Sequence, residues 1–516
     1  MAAAYIRGVQ RYGIGACVKH YVANESETQR RTVNVRVSEA ALRELYLLPF
    51  EICVADAHPW TIMAAYNDVN GVAATEQDEL NNGVLKSEWG WDGLLMSDWG
   101  ATKTAAPAAN GGLDLVMPGP AGPWGDQLVA AVRSGAVAAA AIDDHLTRLL
   151  RLAGRVGAVQ GIPAEQTAEL GPLIEPASAS MRLSLRNLAT AGMVLLKGQE
   201  ILPLTDSPIT DDSPLVLIGR HALETTLQGG GSAAVRPPHQ ISIAEGLAEA
   251  LGASRVKVLD GVAVRHNPTA ANPESIIDPQ TGRPGMRITS FDSSGAELAS
   301  TSSEVAEFLL GMTSGPHEGA SFLENVLWIG LPGQEGGDAV ADGLLGKAEP
   351  TGRLVTTFPV ADGDGPAWNV TPQDGALDYA EGTRVGYRGW YGSEVEPAFW
   401  FGAGLGWGVW DYRSAEQLRD GDGESVTVIL ANTAERPSTE VVQVYWRPEA
   451  AAPVRLVGYS VADEIVPGEE RTVTVACDRR AFRLWNEAAS GWEAPSGGTF
   501  LIARGLGNIR LDVPRS

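Results

Sequence analysis

The chain has 516 residues, of which 44% are hydrophobic and 20% charged, and its formal net charge at pH 7 is −24. This length predicts a globular protein of about two to four domains. The acidity argues against nucleic acid or an anionic membrane as a partner, and the sequence has no apolar run long enough to span a bilayer.

Four short apolar runs alternate with helical spacing over residues 1–156. The runs end near residues 16–20, 61–66, 94–98 and 113–117. Helical spacing is predicted over Val37–Cys53, Gln77–Trp89, Gly125–Ser134 and Ile142–Val156. The last of these helices has four apolar side chains on one face, namely Ile142, Leu146, Leu149 and Leu150. Strands that alternate with helices in this way predict a parallel sheet.

The third apolar run ends in an unusual way, with the residues Met96-Ser97-Asp98-Trp99. Apolar runs normally stop at Gly, Pro or Asn, whereas here a carboxylate and an indole follow the strand. Ligands bind at the carboxyl ends of parallel strands. A carboxylate can attack or stabilise an anomeric carbon while an indole stacks on a sugar face, so the motif favours sugar chemistry. The alternative interpretation of Asp98, taken alone, is a residue that caps the next helix.

The rest of the chain divides by its composition. Residues 157–178 are polar and form a predicted linker, and residues 179–365 form a predicted α/β sandwich domain. Its expected strands are Val194–Leu196, Leu215–Gly219, Val256–Leu259, Val326–Gly330 and Leu354–Phe358. Residues 366–412 are a predicted connector. The β-rich runs and turns of residues 413–516 predict an all-β sandwich.

The cysteines and the first residues exclude other classes of site and location. Cys17, Cys53 and Cys477 are far apart and odd in number, so we expect buried apolar side chains, with no disulfide framework and no metal site. No cofactor is predicted. Met1–Arg7 have neither the basic start nor the apolar core of a signal peptide, which favours a cytoplasmic location but leaves the compartment open.

Several motifs, in order along the chain, resemble those of glycoside hydrolase family 3, the retaining β-glucosidase type. The matching stretches are Lys19–Glu27 with Arg30, Ala65–Asn67 with Asn70-Gly71, Trp89-Gly90 through Trp99, Gly112–Asp114 with Met117-Pro118, Pro332–Gly337, Pro350–Leu354, Thr357–Pro359, Tyr387, and Phe401–Leu405. The resemblance implies a fold class of α/β plus all-β. It would comprise a partial (β/α) barrel, an α/β sandwich domain and a C-terminal fibronectin-III-like β-sandwich.

The resemblance also implies a reaction and its residues. Asp98 would be the nucleophile of a retaining β-glycosidase that removes terminal non-reducing β-D-glycosyl residues through a covalent glycosyl-enzyme. The implied substrate-binding side chains are Lys19, His20, Met63, Tyr66 and Trp99. Lysine and histidine suit this role because both donate hydrogen bonds to hydroxyl groups. Without the motif, His20 equally suits a buried core histidine, and Tyr66 and Met63 suit core packing.

The sequence departs from the family pattern in two ways. The chain begins at what corresponds to the family's fifth barrel strand, so we expect two open sheet edges and possible homo-oligomerisation through them. The acid/base Glu that the family supplies from its second domain has no clear counterpart, and Glu318 is the remaining candidate. The alternative to an active β-glycosidase is therefore a catalytically impaired carbohydrate-binding protein, or a truncated fragment of such an enzyme.

Overall fold

A computed structural model describes residues 1–120, 122–167, 175, 178–204, 209–259, 286–291, 297–303, 325–421, 423–449 and 452–516. The chain divides into two compact units. One unit contains Met1–Glu175 and Arg353–Ser516, and the other contains Pro176–Gly352. Among the described helices, none is both long and apolar enough to cross a membrane.

The first 175 residues alternate strands with helices, as their pattern predicts. The strands are β1 (Cys17–Tyr21), β2 (Asn34–Arg36), β3 (Thr61–Ala64), β4 (Asp68–Val69), β5 (Val72–Ala73) and β6 (Leu94–Ser97). The helices are α1 (Ala2–Gln10), α2 (Glu39–Ala41), α3 (Leu48–Ala57), α4 (Ala106–Asn110), α5 (Asp126–Arg133) and α6 (Ala139–Arg155), with π-helical segments at Leu42–Tyr46 and Glu79–Glu88. The leucines that were expected on one face of α6 are exposed.

Strands β1, β3 and β6 form a parallel sheet in that order. The predicted fourth strand is reduced to a single parallel bridge between Met96 and Leu115. Ile62 and Leu95 are neighbours in the register and are fully buried, which fixes one face of the sheet against the core. Since all these strands run in the same direction, their carboxyl ends meet at one edge, where Tyr21, Ala64 and Ser97 are the last residues.

The second unit combines three helices with three strand pairs in its described part. Its helices are α7 (Ala179–Gly192), α8 (Ile243–Leu251) and α9 (Gly336–Leu344). Its strands are β7 (Val194–Lys197), β8 (Leu215–Ile218), β9 (Val256–Leu259), β10 (Met286–Phe291), β11 (Glu297–Ser303) and β12 (Val326–Trp328). Strands β8 and β9 are parallel, whereas β7–β12 and β10–β11 are antiparallel pairs. Helices α8 and α9 approach closely: a Cβ on Gly337 would lie 2.0 Å from the Ser242 carbonyl oxygen.

The rest of the first unit is mainly a β-sandwich. It contains β13 (Ala376–Asp378), α10 (Tyr387–Trp390), β14 (Trp410–Asp420), β15 (Gly423–Asn432), β16 (Ser438–Arg447), β17 (Arg455–Ile465), β18 (Glu470–Ala476), β19 (Leu484–Asn486), β20 (Gly491–Glu493), β21 (Thr499–Ala503) and β22 (Ile509–Pro514). The sheets β14-β15-β18 and β17-β16-β21-β22 enclose a core of buried valines and aromatic side chains. The strand expected at Leu354–Phe358 is wrong, because only an isolated bridge joins Phe358 to Phe399.

The connector and the sandwich both contact the barrel segment. β13 pairs in parallel with β2, and the Tyr379 hydroxyl donates to the Ala23 carbonyl at 3.2 Å. Ion pairs between sandwich and barrel join Arg455 to Glu44, Arg483 to Glu51 and Arg480 to Asp56. These contacts hold the loop after β1 and the segment before α3 in place around the carboxyl edge of the parallel sheet.

Candidate active site

The carboxyl edge of the parallel sheet brings Asp98 and His20 together. His20 is the fourth residue of β1, and Asp98 directly follows β6. The His20 Nε2 lies 3.1 Å from the Asp98 Oδ2, and the two side chains are 24% and 14% exposed, respectively. The Asp98 backbone amide donates to the Ala64 carbonyl of β3 at 3.2 Å. Residues far apart in sequence therefore meet because both lie at the carboxyl edge of one parallel sheet, in which β3 separates β1 from β6.

The turn that carries Asp98 is tightly bonded. The Trp99 amide donates to the Asp98 Oδ1 at 2.6 Å, and the Gly100 amide donates to the Met117 carbonyl at 2.7 Å. Gly100 has a φ of +73°, a left-handed conformation that glycine adopts readily. Ser97 is fully buried, and its Oγ accepts from the Met117 amide at 2.8 Å. The carboxylate is therefore held by backbone geometry as well as by His20.

His20 is a neutral imidazole near neutral pH. Burial holds the pKa of His20 below its ordinary value of 6.5, since the desolvation of an imidazolium outweighs the attraction of the Asp98 carboxylate, and the Lys19 ammonium acts in the same direction as burial. A neutral ring donates one hydrogen bond from Nε2 when that nitrogen carries the proton. The arrangement is thus a hydrogen bond to a carboxylate rather than a full ion pair.

The buried Tyr66 contacts the same turn, and the exposed Trp99 belongs to it. The Tyr66 hydroxyl donates to the Trp99 carbonyl oxygen at 3.0 Å, so it contacts the backbone beside Asp98. The Trp99 indole is 59% exposed and leaves an aromatic face beside the carboxylate. Met63 is half-buried in β3, and Lys19 is exposed on β1. The structure thus brings Asp98, His20, Tyr66 and Trp99 together.

The matches to known families cover all three parts of the chain. Residues 1–152 match the glycosyl hydrolase family 3 N terminal domain, residues 193–407 match the glycosyl hydrolase family 3 C-terminal domain, and residues 440–505 match a fibronectin type III-like domain. The thermostable beta-glucosidase B of Acetivibrio thermocellus is 31% identical to the chain, over 98% of this chain and 69% of that relative. The chain belongs to glycosyl hydrolase family 3.

A further relative and a solved structure are also similar to the family 3 chain over most of its length. An exo-alpha-(1->6)-L-arabinopyranosidase of Bifidobacterium breve is 31% identical, over 96% of this chain and 68% of that relative. The structure of beta-glucosidase 3B from Thermotoga neapolitana in complex with alpha-D-glucose has a TM-score of 0.80 at 26% identity, over 99% of this chain and 78% of that one. The predicted family and fold class are confirmed, and the family 3 chain is a β-glucosidase-like hydrolase of O-glycosyl bonds. The domain limits expected from the sequence remain predictions.

Two arginines beside the site received no role from the sequence. The guanidinium carbons of Arg30 and Arg31 lie 5.1 and 5.0 Å from the Tyr66 ring centroid. Arg30 also pairs with Glu27 at 2.7 Å, and the Arg31 Nη2 donates to the Trp99 carbonyl at 3.3 Å. Arg30 was visible within a family motif, whereas no local pattern singled out Arg31.

Two sequence expectations have different outcomes. Glu318, the candidate acid/base, lies outside the described residues. The expectation that all three cysteines are buried is wrong for Cys17, which is exposed, whereas Cys53 and Cys477 are buried and all three are free. Cys17 is exposed because it is the first residue of β1 and lies on the same exposed face of the strand as Lys19.

A second group of ionisable side chains surrounds Asp114, which directly precedes the bridge between Leu115 and Met96 of β6. Asp114, Asp144 and His145 could place ligand atoms within 4.8 Å of one another. However, the Lys86 ammonium already lies 2.7 Å from the Asp114 Oδ1, and the Leu95 amide donates to its Oδ2 at 2.8 Å. A cation and a backbone donor thus satisfy the buried carboxylate, which indicates a structural network rather than a metal centre.

Proposed function

We propose that this family 3 enzyme is a retaining β-glycosidase in which Asp98 is the nucleophile. The observation that carries the proposal is the Asp98 carboxylate at the carboxyl edge of the sheet, 3.1 Å from the His20 Nε2 and adjacent to an exposed indole. One carboxylate oxygen accepts from the Trp99 amide and the other from His20. Both carboxylate oxygens therefore have a donor that fixes the orientation of the nucleophile.

The reaction proceeds in two displacements. A carboxylate oxygen of Asp98 bonds to the anomeric carbon while the bond to the leaving oxygen breaks, which gives a glycosyl ester with inverted configuration. Water then attacks the same carbon from the other face, releases the Asp98 carboxylate and restores the original configuration. The leaving oxygen needs a proton in the first step, so an aryl glycoside, whose phenolate leaves readily, depends least on the acid catalyst.

The remaining predicted residues would bind the glycosyl unit. Lys19 and His20 would donate hydrogen bonds to its hydroxyl groups, and Trp99 would stack on its apolar face. Met63 would line the same subsite. Tyr66 acts through the backbone, since its hydroxyl bonds to the carbonyl of Trp99, and is therefore a positioning residue.

Hydrolysis of 4-nitrophenyl β-D-glucoside tests the proposal. We expect the enzyme to release nitrophenol with retention of configuration, and Asp98→Asn to abolish the release. Added azide should increase the rate and yield the β-glycosyl azide if the glycosyl ester forms but its hydrolysis lacks a general base. Binding of the glucoside without turnover, with or without azide, would instead indicate a carbohydrate-binding protein.

The same assay tests which glycosyl unit the enzyme prefers. The relative from Bifidobacterium breve carries an arabinopyranosidase name, so an α-L-arabinopyranoside is the second candidate substrate. We expect a higher kcat/KM for the β-D-glucoside, because the beta-glucosidase relative is equally similar and covers slightly more of the chain. A higher kcat/KM for the arabinopyranoside would change the sugar and leave the role of Asp98 in place.

A further inference from the structure

Two exposed cations, Arg31 and Lys103, are linked to the Asp98–Trp99 turn by hydrogen bonds, and we name them the basic rim. Among the residues that the structure describes, no carboxylate forms an ion pair with Arg31 or Lys103. Arg30, which immediately precedes Arg31, is different because it pairs with Glu27 at 2.7 Å. The basic rim therefore keeps its charge available to a ligand.

Hydrogen bonds fix both members of the basic rim relative to the turn. The Arg31 Nη2 donates to the Trp99 carbonyl at 3.3 Å, and the Arg31 guanidinium stacks on the Tyr66 ring. The Lys103 Nζ donates to the Arg31 carbonyl at 3.3 Å. Arg31 has five N–H groups and uses one of them in this contact, so it retains donors for a further acceptor.

The positive charge of the basic rim is opposite in sign to the net charge of the chain. The chain as a whole carries −24, which repels anionic ligands from most of its surface. Arg31 and Lys103, which have no carboxylate partner among the described residues, place two positive charges beside the site. A cluster of one sign beside a cleft concentrates ligands of the opposite sign, and a guanidinium binds a carboxylate strongly through two parallel hydrogen bonds.

We propose that the basic rim binds a carboxylate on the leaving group of the substrate. This inference rests on the proposed function, since it places the sugar at Asp98. With the sugar there, the leaving group extends past the exposed Trp99 indole toward solvent, where Arg31 and Lys103 are exposed. The substrate class is therefore a β-glycoside whose aglycone is anionic. Each cation adds a solvent-screened interaction, so the preference is modest and depends on salt.

Binding of thioglycosides, which are not hydrolysed, tests this inference without catalysis. Isothermal titration compares 4-carboxyphenyl 1-thio-β-D-glucoside with its neutral 4-carboxamidophenyl analogue. We expect the carboxylate to bind about 5- to 10-fold more tightly at low salt, with little difference at ~0.5 M salt. Arg31→Met and Lys103→Met should each reduce the ratio of the two dissociation constants about 2- to 4-fold.

Arg447→Met is the matched control, because Arg447 is an exposed arginine of β16 whose guanidinium contacts only Thr499 among the described residues. It changes the net charge equally and should leave the ratio unchanged. Equal binding of the two ligands, or an equal loss in Arg447→Met, would overturn the inference and leave the proposed function intact. Binding of neither ligand would overturn both.

A third ligand places the carboxylate on the sugar instead. Phenyl 1-thio-β-D-glucuronide carries the same charge on the glycosyl unit, and we expect it to bind more weakly than 4-carboxyphenyl 1-thio-β-D-glucoside. The opposite order would overturn the assignment of the basic rim to the leaving group. The Lys103→Met variant keeps the test valid if Arg31→Met disturbs the turn, since Lys103 makes no contact with Trp99 or Tyr66 in the described structure.

Discussion

Asp98 and Asp114 are two carboxylates beside the same parallel sheet, and each contacts a histidine ring and a backbone amide, but they differ in exposure and in the presence of a lysine partner. The Asp98 side chain is 14% exposed and faces a half-buried, neutral histidine. The Asp114 side chain is 0% exposed and contacts the Lys86 ammonium, the His145 ring and the Leu95 amide. Asp98 therefore remains partly accessible to a substrate, whereas Asp114 is enclosed by contacts to β6, α6 and the π-helical segment Glu79–Glu88.

The comparison predicts that Asp98 matters for rate and little for stability. Asp98→Asn should lower kcat/KM on 4-nitrophenyl β-D-glucoside by on the order of 10⁴-fold or more, as expected for loss of a nucleophile. The free energy of unfolding should change by less than ~1 kcal/mol, because few contacts are lost. Steady-state kinetics and urea unfolding measure the two effects. A variant that retains activity would remove Asp98 from the reaction.

Asp114 should show the reverse behaviour. Asp114→Asn removes the nearer carboxylate of the buried Lys86 ammonium and leaves only the partly exposed Asp144 carboxylate at 3.5 Å. Breaking a buried pair typically costs ~3–5 kcal/mol, and Asp144 offsets a small part of this cost. Urea unfolding should therefore show a large loss of stability. Asp92→Asn is the control, because Asp92 is 51% exposed and pairs with Arg155 on the surface, which contributes ~0–1 kcal/mol. Equal losses in the two variants would contradict the structural role of Asp114.

The contact between His20 and Asp98 can be tested by a substitution of the histidine. His20→Gln removes the hydrogen bond to Asp98, and hydrogen bonds to charged groups contribute ~1.5–3 kcal/mol. We therefore expect kcat/KM to fall about 10- to 100-fold. Thermal unfolding of the same variant checks that the fold is retained. An unchanged kcat/KM would indicate that backbone contacts alone position Asp98.

The lowered pKa of His20 also predicts how stability depends on pH. Below pH 6.5 the unfolded chain binds a proton at this position more readily than the folded chain does, so acid favours the unfolded state. Stability from His20 is fully present above pH 6.5 and is lost as pH falls through the lowered pKa. Urea unfolding between pH 8 and pH 5 should show this loss in the native sequence and less of it in His20→Gln. A greater loss in the variant would mean that His20 is charged in the folded protein.

Tyr66 should give the smallest effect. Tyr66→Phe removes one hydrogen bond to the Trp99 carbonyl and keeps the ring between the two arginines. Such a bond contributes ~1 kcal/mol, so kcat should fall about 5-fold with little change in KM. A larger effect on KM than on kcat would indicate that Tyr66 contacts the sugar instead of positioning the turn.

The sequence predicts the Asp98 turn because its determinants are local. The apolar run, the carboxylate and the indole are adjacent, and strand–helix alternation places them at a sheet edge. The contacts that surround the turn are not local. The Arg31 to Trp99 bond spans 68 positions, and the Tyr379 to Ala23 bond spans 356. No periodic pattern encodes such pairs, since they depend on how separate elements pack.

The same reasoning explains one wrong strand and one group that the sequence did not reveal. The strand expected at Leu354–Phe358 has suitable residues, but strands need a pairing partner, and only Phe358 has one, in Phe399. The metal-like group around Asp114 is scattered over 31 positions, from Asp114 to His145, and Lys86 completes it from another element. Spacing rules that depend on neighbouring ligands could not have found it.

Covalent trapping tests the central claim most directly. 2-Deoxy-2-fluoro-β-D-glucosyl fluoride has a good leaving group and a slowly hydrolysed ester, so the glycosyl-enzyme should accumulate. Mass spectrometry of a proteolytic digest should then find one fluoroglucosyl group, attached to Asp98. A label on any other residue, or release of an inverted product by the active enzyme without a covalent adduct, would contradict the assignment of Asp98 as the nucleophile.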